Sequence, residues 1–219
     1  MNTRAYLAEL LGTFLFLTIG YLSVAALGAA NANGLLVVPF AFSFGLLAAI
    51  FAFGHVSGGH YNPAVTVAAV IDGRLSTADA LGYVVAQVVG ALGAGVVVLV
   101  TVNQGAVAAG ITRPGGGVTD IGALIIEIVL TAGFVAVILA ATKHANALAA
   151  LAIPLTLVAI HFASAPLSGA SVNPARSIGS AVVGGDVGGL WIYIVAPLIG
   201  GVVGALVYRM AAAEPAAAP

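Results

Sequence analysis

Apolar residues run along this chain in long blocks. Six stand out, at about 5–27, 35–54, 80–101, 121–141, 147–163 and 190–208. Most approach the ~20 residues that a helix needs to cross a ~30 Å hydrocarbon core, and the fifth is the shortest. The first opens with Met1-Asn2-Thr3-Arg4, a charged start of the kind a signal peptide has. Its apolar run exceeds an h-region and contains Glu9, so it reads as a retained span. The Ala-Pro stretch at 211–219 reads as a disordered tail.

Two shorter apolar stretches, 65–71 and 177–183, interrupt this pattern. Small, turn-permissive residues lead into each: Ser57-Gly58-Gly59-His60-Tyr61-Asn62-Pro63-Ala64 and Ser168-Gly169-Ala170-Ser171-Val172-Asn173-Pro174-Ala175-Arg176. Asn is a strong N-cap, and Pro is favoured at the first helical position because its missing N–H would have no partner there. Each copy is therefore predicted to be a loop that becomes a helix at its Asn, stopped by Asp72-Gly73 or Gly184-Gly185. About ten residues at 1.5 Å per residue give about 15 Å, half a hydrocarbon core.

Composition turns apolar helices into a membrane protein. The chain is 62% hydrophobic and 6% charged, against about 25% charge in a soluble domain, which leaves no hydrophilic shell. A net charge of −1 lacks the basic footprint that nucleic acid needs. With no Cys there is no disulfide framework and no thiolate metal site or nucleophile. No His/Asp/Glu cluster has metal-ligand spacing, and no phosphate loop or serine elbow occurs, so neither metal nor cofactor is expected. The 29 Gly residues suit helices packed closely in lipid. Six spans put both termini on one side, together with Arg4, Arg74, Lys143 and Arg209. Arg113 and Arg176 fall on the other side, so the positive-inside rule predicts cytoplasmic termini.

The two halves repeat. Each reads as a span with a Glu (Glu9, Glu127), a second span, an Asn-Pro-Ala half-helix and a third span, over about 1–105 and 118–210. Three spans per half is an odd number, so the halves insert with opposite orientation. Broken helices at matching positions of an inverted repeat point to a site at the bilayer midplane. The predicted fold class is an all-α integral membrane protein, a single domain over 1–219 with six transmembrane helices and two re-entrant half-helices.

Irregular backbone survives at membrane depth where it lines a wet cavity. The carbonyls of Gly58, Gly59, His60, Tyr61, Gly169, Ala170, Ser171 and Val172 are expected to form a ladder of acceptors along a pore. Asn62 and Asn173 would cap their half-helices through oxygen and keep amide N–H groups for the lumen. Two helix N-termini, each worth about half a positive charge, would meet there. Arg176 is costly at depth and should face water or a partner. Glu9 and Glu127 could be read as an acid–base pair. The better reading makes them acceptors for the orphan N–H groups of the re-entrant loops. His55 and His60 are assigned to the same scaffold, and Lys143-His144 to a solvated helix end.

The two Asn-Pro-Ala boxes, the second followed by Arg176-Ser177, with Gly54-His55-Val56-Ser57-Gly58-Gly59-His60-Tyr61 before the first, resemble the aquaporin (major intrinsic protein) family over nearly the whole chain. The nearest resemblance is to its bacterial water-selective members. It implies a passive water channel, homotetrameric, with no catalysis. Counting along the motifs carries the family's selectivity filter onto Phe42, His161, Ala170 and Arg176. Phe40 and Phe44 lie two residues to either side, so spacing leaves open which ring faces the lumen. Glycerol-conducting relatives are expected to have a small residue at the position of His161 and Asp at that of Ser177. A small-solute facilitator and an ion-coupled transporter are the alternatives. The transporter would need a charged coupling site at the midplane, where only Arg176 stands.

Overall fold

The computed structural model describes residues 2–28, 32–144 and 146–212. Among these, six helices are long and apolar enough to cross a membrane. Helix α1 (Thr3–Leu27) starts where the Asn2 side chain accepts the Ala5 N–H. Helix α2 (Ala32–Ala49) runs through a wide π turn at Ile50–Gly54 into the short α3 (His55–Ser57). The half-helix α4 (Pro63–Ile71) and α5 (Thr77–Thr101) complete the first half. After the short α6 (Gln104–Ala108), the second half repeats the order as α7 (Asp120–His144), α8 (Asn146–Ser168), the half-helix α9 (Pro174–Gly184) and α10 (Leu190–Ala211).

The long helices bury small and aromatic residues and leave Leu, Val and Ile outward, as a lipid-facing bundle should. Helix α1 packs on α2 and α5, and α10 packs on α7. The halves interlock reciprocally: half-helix α4 lies against α10, and half-helix α9 against α5. Glycines permit both approaches. A Cβ on Gly201 would sit 2.6 Å from the Ala64 carbonyl oxygen, and one on Gly179 would sit 2.6 Å from that of Ala91.

Three features differ from the sequence pattern. The fifth span continues beyond 163 to Ser168, past Pro166, because a membrane helix can re-satisfy the backbone groups that a proline frees. The π turn and α6 carry no strong periodic signal. Ala211 closes α10, and 213–219, most of the stretch read as a disordered tail, lies outside the described residues.

Candidate pore and constriction

The two re-entrant loops share one construction at an offset of 111 residues (173 − 62). In the first, Glu9 of α1 accepts the Ser57 hydroxyl at 2.6 Å, the His60 N–H at 2.9 Å and the Tyr61 N–H at 2.7 Å. In the second, Glu127 of α7 accepts the Ser168 hydroxyl at 2.8 Å, the Ser171 N–H at 2.9 Å and the Val172 N–H at 2.7 Å. The backbone follows suit. Gly58 and Gly169 have φ of 89° and 85°, Gly59 and Ala170 68° and 47°, and Tyr61 and Val172 49° and 43°. Left-handed conformations at three non-glycine residues cost of order 1–3 kcal/mol each and persist only where the surroundings impose them. Here the buried carboxylates impose them. Each Glu is occupied by its own loop.

At the centre the asparagines cross over. The Asn62 side-chain oxygen accepts the Ala64 N–H, and its Nδ2 donates to the Val172 carbonyl at 2.8 Å. The Asn173 oxygen accepts the Arg176 N–H, and its Nδ2 donates to the Tyr61 carbonyl at 2.9 Å. An amide carries two N–H groups, so this bond leaves each asparagine one N–H rather than the two that the sequence predicts for the lumen. Two of the expected acceptor rungs, Tyr61 and Val172, are correspondingly engaged by the opposite half.

A cavity of about 510 Å³ runs from this centre to the mouth at Arg74, Leu75 and Thr142. Gly58, Gly59, His60, Tyr61, Asn62, Ser171, Val172 and Asn173 line it. A second, outer cavity of about 140 Å³ is lined by Gly169, Gly110 and Arg113. Phe42, His161 and Arg176 line both and mark the boundary between them. The Phe42 and His161 rings stack at 5.3 Å, and Arg176 Cζ stands 5.2 Å from the Phe42 centroid. Phe42 is 1% exposed, whereas Phe44 is 52% exposed and packs against Phe40, which in turn meets Phe162. Ala170 is fully buried between Gly169 and Ser171.

The His161 Nδ1 lies 2.9 Å from the Leu157 carbonyl, which can only accept, so Nδ1 carries a proton and, in the neutral tautomer, Nε2 is the acceptor. Arg176 Nη1 donates to the Gly110 carbonyl at 2.7 Å. Arg176 Nε and His161 Nε2 have no protein partner. A donor and an acceptor without protein partners are thus found among the boundary residues. The His60 ring is turned to Thr66 (3.1 Å) and Tyr83. His55 lines the inner cavity. At the outer mouth, Arg113 pairs with Asp186 at 2.5 Å. The Gly188 N–H, at 2.9 Å, and then Arg113 hold that carboxyl below the usual range.

Three residues of this architecture are absent from the sequence-level site. Ser57 and Ser168 each bond a Glu and receive the N–H two residues on. Their matched Ser-Gly positions at the head of both motifs are a usable signal. Gln87 of α5 donates to Glu9 at 2.7 Å and Thr66 at 2.9 Å, and nothing in the local pattern marks it. Among the described residues, no three His, Asp or Glu side chains gather to hold a metal ion.

The profile of the major intrinsic protein family matches residues 1–208. Aquaporin Z of Rhodopseudomonas palustris is 40% identical, with 98% of this chain and 96% of that protein covered. The glycerol uptake facilitator protein-like 6 of Lactiplantibacillus plantarum is also 40% identical, with 96% of this chain and 99% of that protein covered. The crystal structure of the aquaglyceroporin from Plasmodium falciparum shares the fold, with a TM-score of 0.85, 22% identity and coverage of 95% of this chain and 96% of that one.

Proposed function

The chain belongs to the major intrinsic protein family, and from that premise we propose that it is a water-selective channel, passing water in single file and excluding protons and ions. The carrying observation is the boundary at Phe42, His161 and Arg176, where a ring stack and a guanidinium close on one another between two cavities. Aquaporin-type pores select by diameter, by the hydrogen-bonding groups of the lining, and by electrostatic barriers such as an Arg and the positive ends of half-helices. In this reading Phe42, His161, Ala170 and Arg176 form the filter. The caps Asn62 and Asn173 orient water at the junction of α4 and α9, and the loop carbonyls carry it to either side. Nothing is covalently changed, so the protein is a channel and no enzyme. It sits in the cell membrane as a homotetramer with both termini cytoplasmic and the repeats at about 1–105 and 118–210 oppositely inserted.

The glycerol-facilitator relative makes the substrate the point to test. Stopped-flow light scattering on proteoliposomes separates the readings. Fast shrinkage in an impermeant osmolyte, with glycerol entry no faster than in empty liposomes, is the expected result. His161→Ala with Arg176→Val should raise glycerol entry about tenfold or more. Rapid glycerol entry through the unaltered protein would replace this reading with that of a small-solute facilitator. A double variant that still excludes glycerol would remove the filter assignment.

A further inference from the structure

We propose that Tyr21 of α1 is a positioning residue for the constriction, holding the Arg176 backbone and guanidinium in place; the inference rests on the filter reading of Arg176. Tyr21 is 2% exposed and lines neither pore cavity. Its hydroxyl donates to the Arg176 carbonyl in a short hydrogen bond, fastening the first turn of α9 to α1. Its ring stands beside the arginine head, with Cζ 6.0 Å from the ring centroid, next to Phe42, whose centroid is 5.2 Å from the same atom. The two ring centroids are themselves 6.2 Å apart, so the guanidinium stands at one corner of a near-equilateral triangle and packs against both rings from one side, an arrangement that favours a cation.

The surroundings are shaped to admit this tyrosine. Tyr21 meets Phe42 edge-on at 6.2 Å. A Cβ on Gly179 would come 2.9 Å from the Tyr21 hydroxyl, so the glycine leaves the hydroxyl room to reach α9. Gly110, whose carbonyl accepts from Arg176 Nη1, also lies against the Tyr21 ring: a Cβ there would be 3.8 Å from it. The residue before, Gly20, makes way for Phe42, whose ring would be 2.4 Å from a Cβ at that position. Consecutive residues of α1 therefore seat two walls of the constriction. The remaining protein bond of the guanidinium, to Ser180 Oγ, is 3.5 Å long. With so few direct bonds on the arginine head, its orientation depends on the ring beside it and on the height of its own backbone, and Tyr21 acts on both.

Tyr21→Phe keeps the ring and removes the hydroxyl, and it is compared with Arg176→Val and with the double variant. The readout is the glycerol-to-water permeability ratio in proteoliposomes. Losing one buried hydrogen bond should shift the population of correctly held arginine, and hence the ratio, by about fivefold. Because Tyr21 acts through the arginine, the double variant should match Arg176→Val alone. A single variant with the wild-type ratio overturns the proposal while leaving the filter intact if Arg176→Val still raises the ratio. An additional fivefold rise in the double variant also overturns it, since Tyr21 would then be acting elsewhere. An Arg176→Val protein with an unchanged ratio overturns the filter reading and this inference with it. Solid-state NMR of ¹⁵N-arginine protein gives a readout independent of flux. The Arg176 Nε resonance should shift or broaden in Tyr21→Phe, and an unchanged resonance overturns the proposal.

Discussion

Glu127 is 1% exposed inside a lipid-facing bundle, yet it is the fixed point of the second re-entrant loop. Its carboxylate faces donors only: one hydroxyl and two backbone N–H groups. An amide of the same size cannot serve, because its NH₂ would be set against an N–H. Glu127→Gln should therefore cost about 2–4 kcal/mol, the value of one or two hydrogen bonds to a charged acceptor plus the donor left unmet. A lowered thermal midpoint of the detergent-solubilised protein, with the loss of water flux that a collapsed loop brings, is the expected outcome. The same logic explains why Tyr61, Ala170 and Val172 tolerate left-handed backbone: the acceptor is placed first, and the chain bends to meet it.

Among the elements, the half-helices are held by backbone proximity more than by side-chain interdigitation. Helix α10 reaches α4 at Gly201, where a methyl group would meet the Ala64 carbonyl at 2.6 Å. Gly201→Ala should destabilise by about 1–3 kcal/mol, as overpacking does. Gly133 of α7 is the contrasting case, since a Cβ there has nothing within 4 Å. Gly133→Ala should be neutral or stabilising by up to about 1 kcal/mol, because glycine inside a helix is disfavoured. Opposite shifts of the thermal midpoint in the two variants check the argument. The sequence makes the six spans and both half-helices legible because each has a strong local cause, an apolar block or an Asn-Pro start. The π turn at Ile50–Gly54 has no such cause. It is set at a distance, where the Tyr61 hydroxyl takes the Ala49 carbonyl at 3.0 Å. The site divides in the same way. Asn62, Asn173, Glu9, Glu127 and Arg176 stand out by chemistry that is rare in lipid. Gln87 and Tyr21 act through contacts across the fold, and a linear pattern cannot rank them above their neighbours. The choice among Phe40, Phe42 and Phe44 likewise follows from which face of α2 turns inward.

In the whole molecule, the charged side chains of the described residues fall at the two rims, at Arg176 and at the two loop-bracing carboxylates. At one rim Arg74 ties α4's end to α7 through Asp72, Thr142 and the Leu139 carbonyl, and Arg209 bonds the Ile71 carbonyl. At the other, Asp186 and Arg113 pair across exposed loops. The folded-state carboxyl of Asp186 titrates below its unfolded value, so its contribution is present above the ordinary carboxylate range and is lost as pH falls through the lowered value. The share of thermal stability that this pair supplies should be flat through neutrality and should fall on acidification below about pH 4. Asp186→Asn should show a smaller acid loss, measured by thermal unfolding across pH.

The crossed asparagines also order the protein's making in time. Asn62 and its partner carbonyl on Val172 are 110 residues apart along the chain. A ribosome adding about 5–20 residues per second delivers that carbonyl roughly 6–20 s after the asparagine. Throughout that interval the first half has a cap in place and an amide with no mate. Its lumen has only one wall. Synthesis of the stretch that carries Val172 therefore does more than extend the chain: it supplies the mate for a group synthesised long before, and the crossed pair at the centre forms only when both asparagine loops are present.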